Sequence, residues 1–333
     1  MSYYIYAPEP IYVHHPRLRF SRFSDTTEVW QIEDKFAVRI GVDNPPRYEA
    51  APGETIWDKL RRQCPAWFRP DGSTLLIETA LGPGEFYPRI WRPSVPDQSA
   101  ALGLSPAWNP SAQHESNIAD VIAIARGQLT TFTRQLDRIC QTVQPLGQNL
   151  DVFGHDIRNL LILACTEAEA HWRNVLVANG VKQERFSTKD YVKLQEPLKL
   201  DQYAVTFPNY PWLEAFKPYE KWNAEGPTCS LEWYDAYNAV KHDRETQFIG
   251  AKLRHVFDAI AACVIMIDSQ FGEDEGLGAG SELRAFFRFS GRPEWPYSDY
   301  YIPPYGKDIT PVQFDFNVAA SQRDLCAGTR SLT

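Results

Sequence analysis

A stripe of apolar residues between Asn117 and Gln144 constrains the fold more than any other feature of the sequence. Its positions alternate in steps of four and three residues, which is the spacing of one face of a long helix. These positions are Ile118, Ile122, Ala125, Leu129, Phe132, Leu136, Ile139 and Val143. A long helix with a single apolar face must bury it against other helices, so the stripe predicts a helical bundle.

Three further segments supply partner helices. A second helix is predicted over about 154–179, where Asn179-Gly180 is a stop signal. A short amphipathic helix follows Ser230, which we predict to be its N-cap. The fourth helix, about 250–271, contains an apolar run at 259–267 that is too short to span a bilayer. The sequence therefore predicts a four-helix bundle over 111–271, with an irregular, aromatic insertion at about 181–228.

The segments on either side of the bundle differ from it in composition. Residues 1–110 contain short aromatic and β-branched runs and one helical pattern, typical of a small β-rich module. No motif gives this module a role. Residues 272–333 form a glycine-rich acidic linker and an extension rich in proline and aromatic residues. That extension is too apolar to stay in water, so we expect it to pack on its own chain or on a second subunit. The predicted fold class is α+β and mainly helical.

Composition narrows the possible functions. The formal net charge of -8 argues against a uniformly basic, nucleic-acid-binding surface, although a local basic patch is compatible with it. The six cysteines lack the spacing of a zinc site, and the N-terminus lacks the pattern of a signal peptide. Phosphate-loop, dinucleotide, zinc-protease and serine-hydrolase motifs are absent. We therefore predict a cytoplasmic protein with reduced thiols, no membrane association, no cofactor and no metal.

The densest group of chemically useful residues comes at the end of the third helix. Asn238, Lys241, His242 and Arg244 fall within seven residues. A histidine can exchange a proton near neutral pH, and the two cations could hold a phosphate. The same group is also what a solvated helix end looks like, since the helix dipole favours cations there.

This motif, following the third of four predicted helices, resembles that of the HEPN superfamily, which includes ribonucleases of toxin, antiviral and RNA-processing systems. The family pattern is an arginine, four to six residues and then a histidine, with asparagine often following the arginine. Here Asn238 and His242 match, but Tyr237 stands where the family's arginine would be. The resemblance implies a metal-independent endoribonuclease in bacterial defence, acting on RNA as a homodimer. In that scheme His242 is the general base or acid, while Lys241 and Arg244 stabilise negative charge.

Two glutamates of the second helix are candidate supporting residues. Glu167 or Glu169 could lie beside His242 and fix its tautomer. Glu167 and His171 are four residues apart and also have the spacing of a surface pair; a di-iron bundle would need a second copy of its own motif, and none is present. We predict no metal there.

The departure at Tyr237 keeps a second hypothesis open. A catalytically inactive relative would use the bundle and the aromatic extension as an interface for a protein partner. The ribonuclease and the interaction protein are the two functions that the sequence supports.

Overall fold

A computed structural model describes residues 2–6, 27–95, 108–110, 117–243, 245–278, 280–304 and 312–313. In these ranges the chain is α+β, with seven helices and nine strands. The helices are α1 (Ile56–Gln63), α2 (Ile118–Thr142), α3 (His155–Ala178), α4 (Thr188–Tyr191), α5 (Glu232–His242), α6 (Leu253–Phe271) and α7 (Glu282–Phe286). The strands are β1 (Ser2–Tyr6), β2 (Glu28–Ile32), β3 (Phe36–Ile40), β4 (Arg47–Glu49), β5 (Leu76–Glu78), β6 (Glu85–Phe86), β7 (Ala204–Thr206), β8 (Arg288–Gly291) and β9 (Val312–Gln313).

Strands β1 to β5 form an antiparallel sheet in the order β4-β3-β2-β1-β5. A tight turn joins β2 to β3, where the backbone N–H of Glu33 donates to the carbonyl of Phe36 at 2.9 Å. Helix α1 begins at a capping box formed by Thr55 and Asp58. The Thr55 hydroxyl accepts a hydrogen bond from the backbone N–H of Asp58, and the Asp58 carboxylate accepts one from the backbone N–H of Thr55. This helix packs on Trp30 and Trp67 of the sheet module. The strands predicted at about 3–6, 28–32 and 36–42 and near 74–80 are thus observed as parts of a small antiparallel sheet.

Helices α2, α3, α5 and α6 pack together, with α3 and α6 as the central pair. Helix α2 contacts both of them, and so does the shorter α5. Helices α3 and α6 run in the same direction, since Cys263 lies against the carbonyl of Ala164 and Gln270 against His171. All four helices lie where the apolar periodicity predicts them.

Helix α6 is the centre of the core. Every residue from Ala259 to Phe271 is buried. The segment Leu253–Gly278 is long and apolar enough to cross a membrane, yet 89% of its apolar window is buried inside the protein. That burial is the pattern of a core helix, as its short apolar run and its flanking aspartates predict.

The insertion at 181–228 packs onto the bundle through aromatic side chains. Trp172 of α3 is fully buried and its ring lies against five aromatic rings. Three of those rings, Tyr191, Tyr219 and Trp222, belong to the insertion, and the other two, Trp233 and Tyr234, belong to α5. The indole of Trp172 donates to the hydroxyl of Tyr219 at 3.1 Å, which leaves no buried donor without a partner there.

The described part of the C-terminal extension packs on its own chain. Strand β8 pairs with β7, and Tyr301 forms a parallel bridge with Ser94 next to the sheet module. Arg292 reaches the buried carboxylate of Asp268 at the end of α6, at 3.1 Å. The expectation that this apolar segment is covered rather than free in water is therefore confirmed for the described residues.

The predicted N-cap of α5 is wrong, whereas the predicted burial of three cysteines is confirmed. Ser230 is not the N-cap of α5, which begins after Leu231; the Ser230 hydroxyl instead accepts a hydrogen bond from the backbone of Asn223. The cysteines in the described part of the chain are all free, and Cys140, Cys165 and Cys263 are buried. Burial raises the pKa of the Cys140 thiol to about 11, so this cysteine acts as an inert core residue.

Candidate functional site

Helix α5 presents the predicted site at its C-terminal end. Glu232 and Asp235 lie in its first turn, and Lys241 and His242 lie in its last, which is the order that the helix dipole favours. One face of α5 is buried against α3 and α6, and this face carries Trp233, Tyr234, Tyr237 and Val240. The burial of large side chains on one face therefore fixes which residues the helix leaves in solvent.

The predicted site residues lie together at this exposed end. Lys241 and His242 are exposed, and Asn238 is half-buried one turn earlier. Arg244 lies outside the described residues. Because Asn238 and His242 are four residues apart, their side chains share one face of α5. Among the described residues no hydrogen bond or ion pair engages the imidazole of His242, so the ring is open to an incoming ligand.

Tyr237 holds the lysine of this group. The Tyr237 side chain is 1% exposed, and its hydroxyl accepts a hydrogen bond of 2.7 Å from Nζ of Lys241. The ammonium also lies 4.9 Å from the centre of the phenol ring. The hydrogen bond that Lys241 donates to Tyr237 raises the pKa of Lys241, and burial raises the pKa of Tyr237. The pair is therefore a charged ammonium on a neutral phenol.

Glu169 fastens α5 to α3. Its carboxylate accepts a hydrogen bond of 2.6 Å from the hydroxyl of Tyr234, and the Tyr234 ring lies 5.4 Å from that of Tyr237. Burial raises the pKa of Tyr234, so its proton stays on the hydroxyl. Glu169 thus supports the lysine-bearing tyrosine through a neighbouring ring. No contact joins Glu169 to His242 in the described part of the chain.

Glu167 points to the opposite side of α3. Two residues along a helix turn the side chain by about 200°, so Glu167 and Glu169 cannot line the same groove. Glu167 lies 3.5 Å from Nε2 of His171, a buried residue whose Nδ1 accepts a hydrogen bond of 3.1 Å from the Gln270 amide. The structure therefore separates Glu167 from the other candidate site residues.

The Glu167–His171 contact is not an ion pair at neutral pH. Burial, followed by the positive charge of Arg89, lowers the pKa of His171 to about 4. Burial also raises the pKa of Glu167. Because Gln270 donates to Nδ1, the proton of the neutral ring is on Nε2. Within the described ranges no three histidine, cysteine, aspartate or glutamate side chains are grouped as a metal would require.

The connection between α5 and α6 rests on the first turn of α3. The Phe248 ring lies 4.9 Å from the ring of His155 and 5.6 Å from the guanidinium of Arg158. Phe153 meets the same ring edge-on at 5.9 Å. This aromatic and basic cluster anchors the chain that follows His242. Neither its rings nor Arg158 was singled out by the sequence, because Phe248 is 90 residues from the α3 residues that it contacts.

No protein-family model, no curated protein and no solved structure matches this chain. The site is therefore interpreted from its own residues and from the resemblance of its motif.

Proposed function

We propose that this protein is an RNA-directed, HEPN-like endoribonuclease that cleaves without a metal ion. Three features support the proposal. Four helices pack together with α3 and α6 at their centre, Asn238 and His242 lie on one face at the end of α5, and the imidazole of His242 is exposed. In line with the superfamily that the motif resembles, the proposed setting is bacterial defence or a toxin–antitoxin system.

The observation that carries the proposal is the Tyr237–Lys241 hydrogen bond of 2.7 Å. Tyr237 occupies the position of the arginine in the family pattern, and its hydroxyl holds the ammonium of Lys241, the residue that precedes His242 in the sequence. A lysine is a point charge and lacks the forked donors of arginine. The tyrosine restricts where that point charge lies, which partly replaces the geometry that an arginine would supply.

The chemistry follows from these positions. The neutral imidazole of His242 takes the proton of a ribose 2′-hydroxyl, which attacks the adjacent phosphate. The ammonium of Lys241 stabilises the additional negative charge that develops on the phosphate oxygens. The imidazolium of His242 formed in this way then gives that proton to the leaving 5′-oxygen as its bond to phosphorus breaks, and the products are a 2′,3′-cyclic phosphate and a 5′-hydroxyl. Asn238 orients the phosphate or the ring from one turn earlier.

A homodimer completes the proposal. A two-fold axis beside α5 would bring two copies of Lys241 and His242 to one cleft, since an isologous interface repeats each contact. A double set of cations would offset the overall negative charge of the chain at the place where RNA binds.

Cleavage of end-labelled RNA in EDTA tests the activity. The wild-type protein is expected to leave cyclic phosphate ends, and His242→Ala is expected to abolish them. Lys182→Ala, which removes an exposed side chain just beyond the C-terminal end of α3, is the control and should retain activity. Equal cleavage by the wild type and His242→Ala, or cleavage by neither, would contradict the proposal.

Exposed apolar side chains favour an interaction protein as the second candidate. Phe153 is 49% exposed and Ile249 is 61% exposed, and both lie at the aromatic cluster that follows α5. Apolar surface of this kind marks protein interfaces. If Phe153→Ser and Ile249→Ser abolish self-association or partner binding while RNA is never cleaved, this second function replaces the first.

A further inference from the structure

A second charged site lies far along the chain from α5, where the segment 91–95 meets the extension 294–301. Tyr301 donates its backbone N–H to the carbonyl of Pro93 at 2.9 Å, and the Val95 N–H donates to the Tyr301 carbonyl at 2.8 Å. This pairing makes residues 93–95 extended. Side chains two apart in an extended segment share a face, so Arg92 and Ser94 lie on the same side of it.

Three buried hydrogen-bond donors in this region have no acceptor. They are Nε of Arg92, Oγ of Ser94 and Nε1 of Trp295. Ser94 as a whole is only 6% exposed. A buried polar group without a partner costs about 1–3 kcal/mol, so three of them on two segments in contact with each other require an explanation.

Aromatic rings surround the arginine. The Arg92 guanidinium lies 4.9 Å from the ring of Tyr87, 5.3 Å from that of Trp295 and 5.8 Å from that of Tyr301. Among the described residues its hydrogen-bond acceptor is the Asp299 carbonyl, which lies at the long distance of 3.4 Å from Nη1. No carboxylate among the described residues pairs with Arg92. The guanidinium is thus positioned by rings while its charge remains unneutralised.

A second cation lies on the same tryptophan. Nζ of Lys199 is 4.4 Å from the Trp295 ring and donates to the Glu294 carbonyl at 2.9 Å. The carboxylate of Asp299, at 3.6 Å, offsets the charge of this lysine. Arg92 and Lys199 together carry two positive charges and Asp299 carries one negative charge, so one positive charge remains in excess on these three side chains.

We propose that Arg92, Ser94 and Trp295 form a binding site for a small oxyanion of the phosphate or sulfate type. The three unpartnered groups are all able to donate, and an oxyanion presents several acceptor oxygens, so one ligand would satisfy donors that no described side chain accepts from. The excess positive charge compensates the charge of the ligand. This site is independent of the ribonuclease proposal.

Titration with inorganic phosphate, followed by calorimetry and by thermal unfolding at constant ionic strength, tests the site. Phosphate stabilises most proteins weakly through exclusion from their surface, and that effect does not saturate. A specific site instead gives saturable binding and a Tm that rises with the logarithm of phosphate concentration. The wild type is expected to show the saturable component, and chloride should not reproduce it.

Variants decide whether the named residues hold the anion. Arg92→Gln and Ser94→Ala are expected to weaken phosphate binding about tenfold or more, the value of one charge-assisted hydrogen bond. Arg61→Gln is the matched control, because Arg61 also lies over an aromatic ring, that of Phe68 at 5.3 Å. Its phosphate affinity should equal that of the wild type.

Ser94→Ala keeps the test decisive if Arg92→Gln fails to fold. Removal of a buried hydroxyl without a partner should leave the phosphate-free Tm unchanged or higher, while phosphate binding weakens. Adenosine 5′-monophosphate distinguishes a phosphate ester, which would bind more tightly by stacking on Trp295, from free phosphate, and either result supports an oxyanion site. Absence of saturable binding, equal binding of chloride, or unchanged affinity in Ser94→Ala would overturn the proposal.

Discussion

Replacement of His171 by glutamine should remove a specific part of the pH dependence of stability. His171 is buried, and burial lowers its pKa from the ordinary 6.5 to about 4. The unfolded chain therefore binds a proton on this ring below about pH 6.5, whereas the folded protein does not bind one until about pH 4. His171 thus contributes stability above pH 6.5 that is lost as the pH falls towards 4.

The expected size follows from the two pKa values. At about 1.36 kcal/mol for each pH unit between them, the loss amounts to about 3 kcal/mol. Glutamine does not titrate, and its carbonyl can still accept the hydrogen bond that Gln270 donates to Nδ1. The pH-dependent part of the difference in unfolding free energy between wild type and His171→Gln therefore isolates this ring.

The difference matters because other buried groups act in the opposite direction. Burial raises the pKa of Asp258 to about 7 and that of Asp268 to about 6, so both carboxyl groups favour the folded state as the pH falls below those values. Both groups are present in wild type and variant, and their effects cancel in the comparison.

Urea unfolding followed by tryptophan fluorescence, at several pH values from 4 to 8 and fixed ionic strength, measures the difference. It should stay constant above about pH 7 and decrease by about 3 kcal/mol towards pH 4. A difference that grows as the pH falls would show that His171 becomes protonated in the folded protein and pairs with Glu167. That result would refute the neutral, buried imidazole.

Two further predictions concern the core and the extension. Ile260→Ala should lower the free energy of unfolding by about 2–5 kcal/mol, because it opens a cavity at a fully buried position of α6. The control Ile124→Ala, at a side chain that is 72% exposed, should change it by less than about 0.5 kcal/mol. Equal effects of the two substitutions in urea unfolding would contradict the assignment of the core. Arg292→Ala should lower the free energy of unfolding by about 3–5 kcal/mol near pH 8, because it leaves the buried Asp268 carboxylate without this cation. The loss should be smaller near pH 5, where the Asp268 carboxyl group is protonated. A cost independent of pH would show that the pair does not stabilise the ionised form.

Local periodicity was enough to predict the helices. The apolar stripe from Ile118 to Ile139 lies on the buried face of α2 because a 3.6-residue period depends only on the sequence within the helix, and Val143 follows as the C-cap. Asn179 and Gly180 end α3 for an equally local reason. The prediction of Ser230 as an N-cap was wrong because the Ser230 hydroxyl accepts a hydrogen bond from the backbone N–H of Asn223. Asn223 lies seven residues earlier, outside the helix, so a local capping rule does not include it.

The site required contacts that the sequence does not encode locally. Helix phase alone could have separated Glu167 from Glu169, since the two differ by about 200° around α3. The partners of Glu169 and His171 could not be predicted, because Tyr234 is 65 residues from Glu169 and Gln270 is 99 residues from His171. The bond between Tyr237 and Lys241 is within reach of sequence analysis, since it joins residues four apart on one helix.

Single-turnover cleavage of RNA in EDTA by wild type, His242→Ala and Tyr237→Phe tests the central claim most directly. Loss of the His242 imidazole should lower the rate by about a hundredfold or more, as expected for a general base. Tyr237→Phe keeps the buried ring but removes the hydroxyl that holds Lys241, and should lower the rate by about tenfold with little change in stability. Equal rates in all three proteins, or cleavage products without cyclic phosphate ends, would contradict the account.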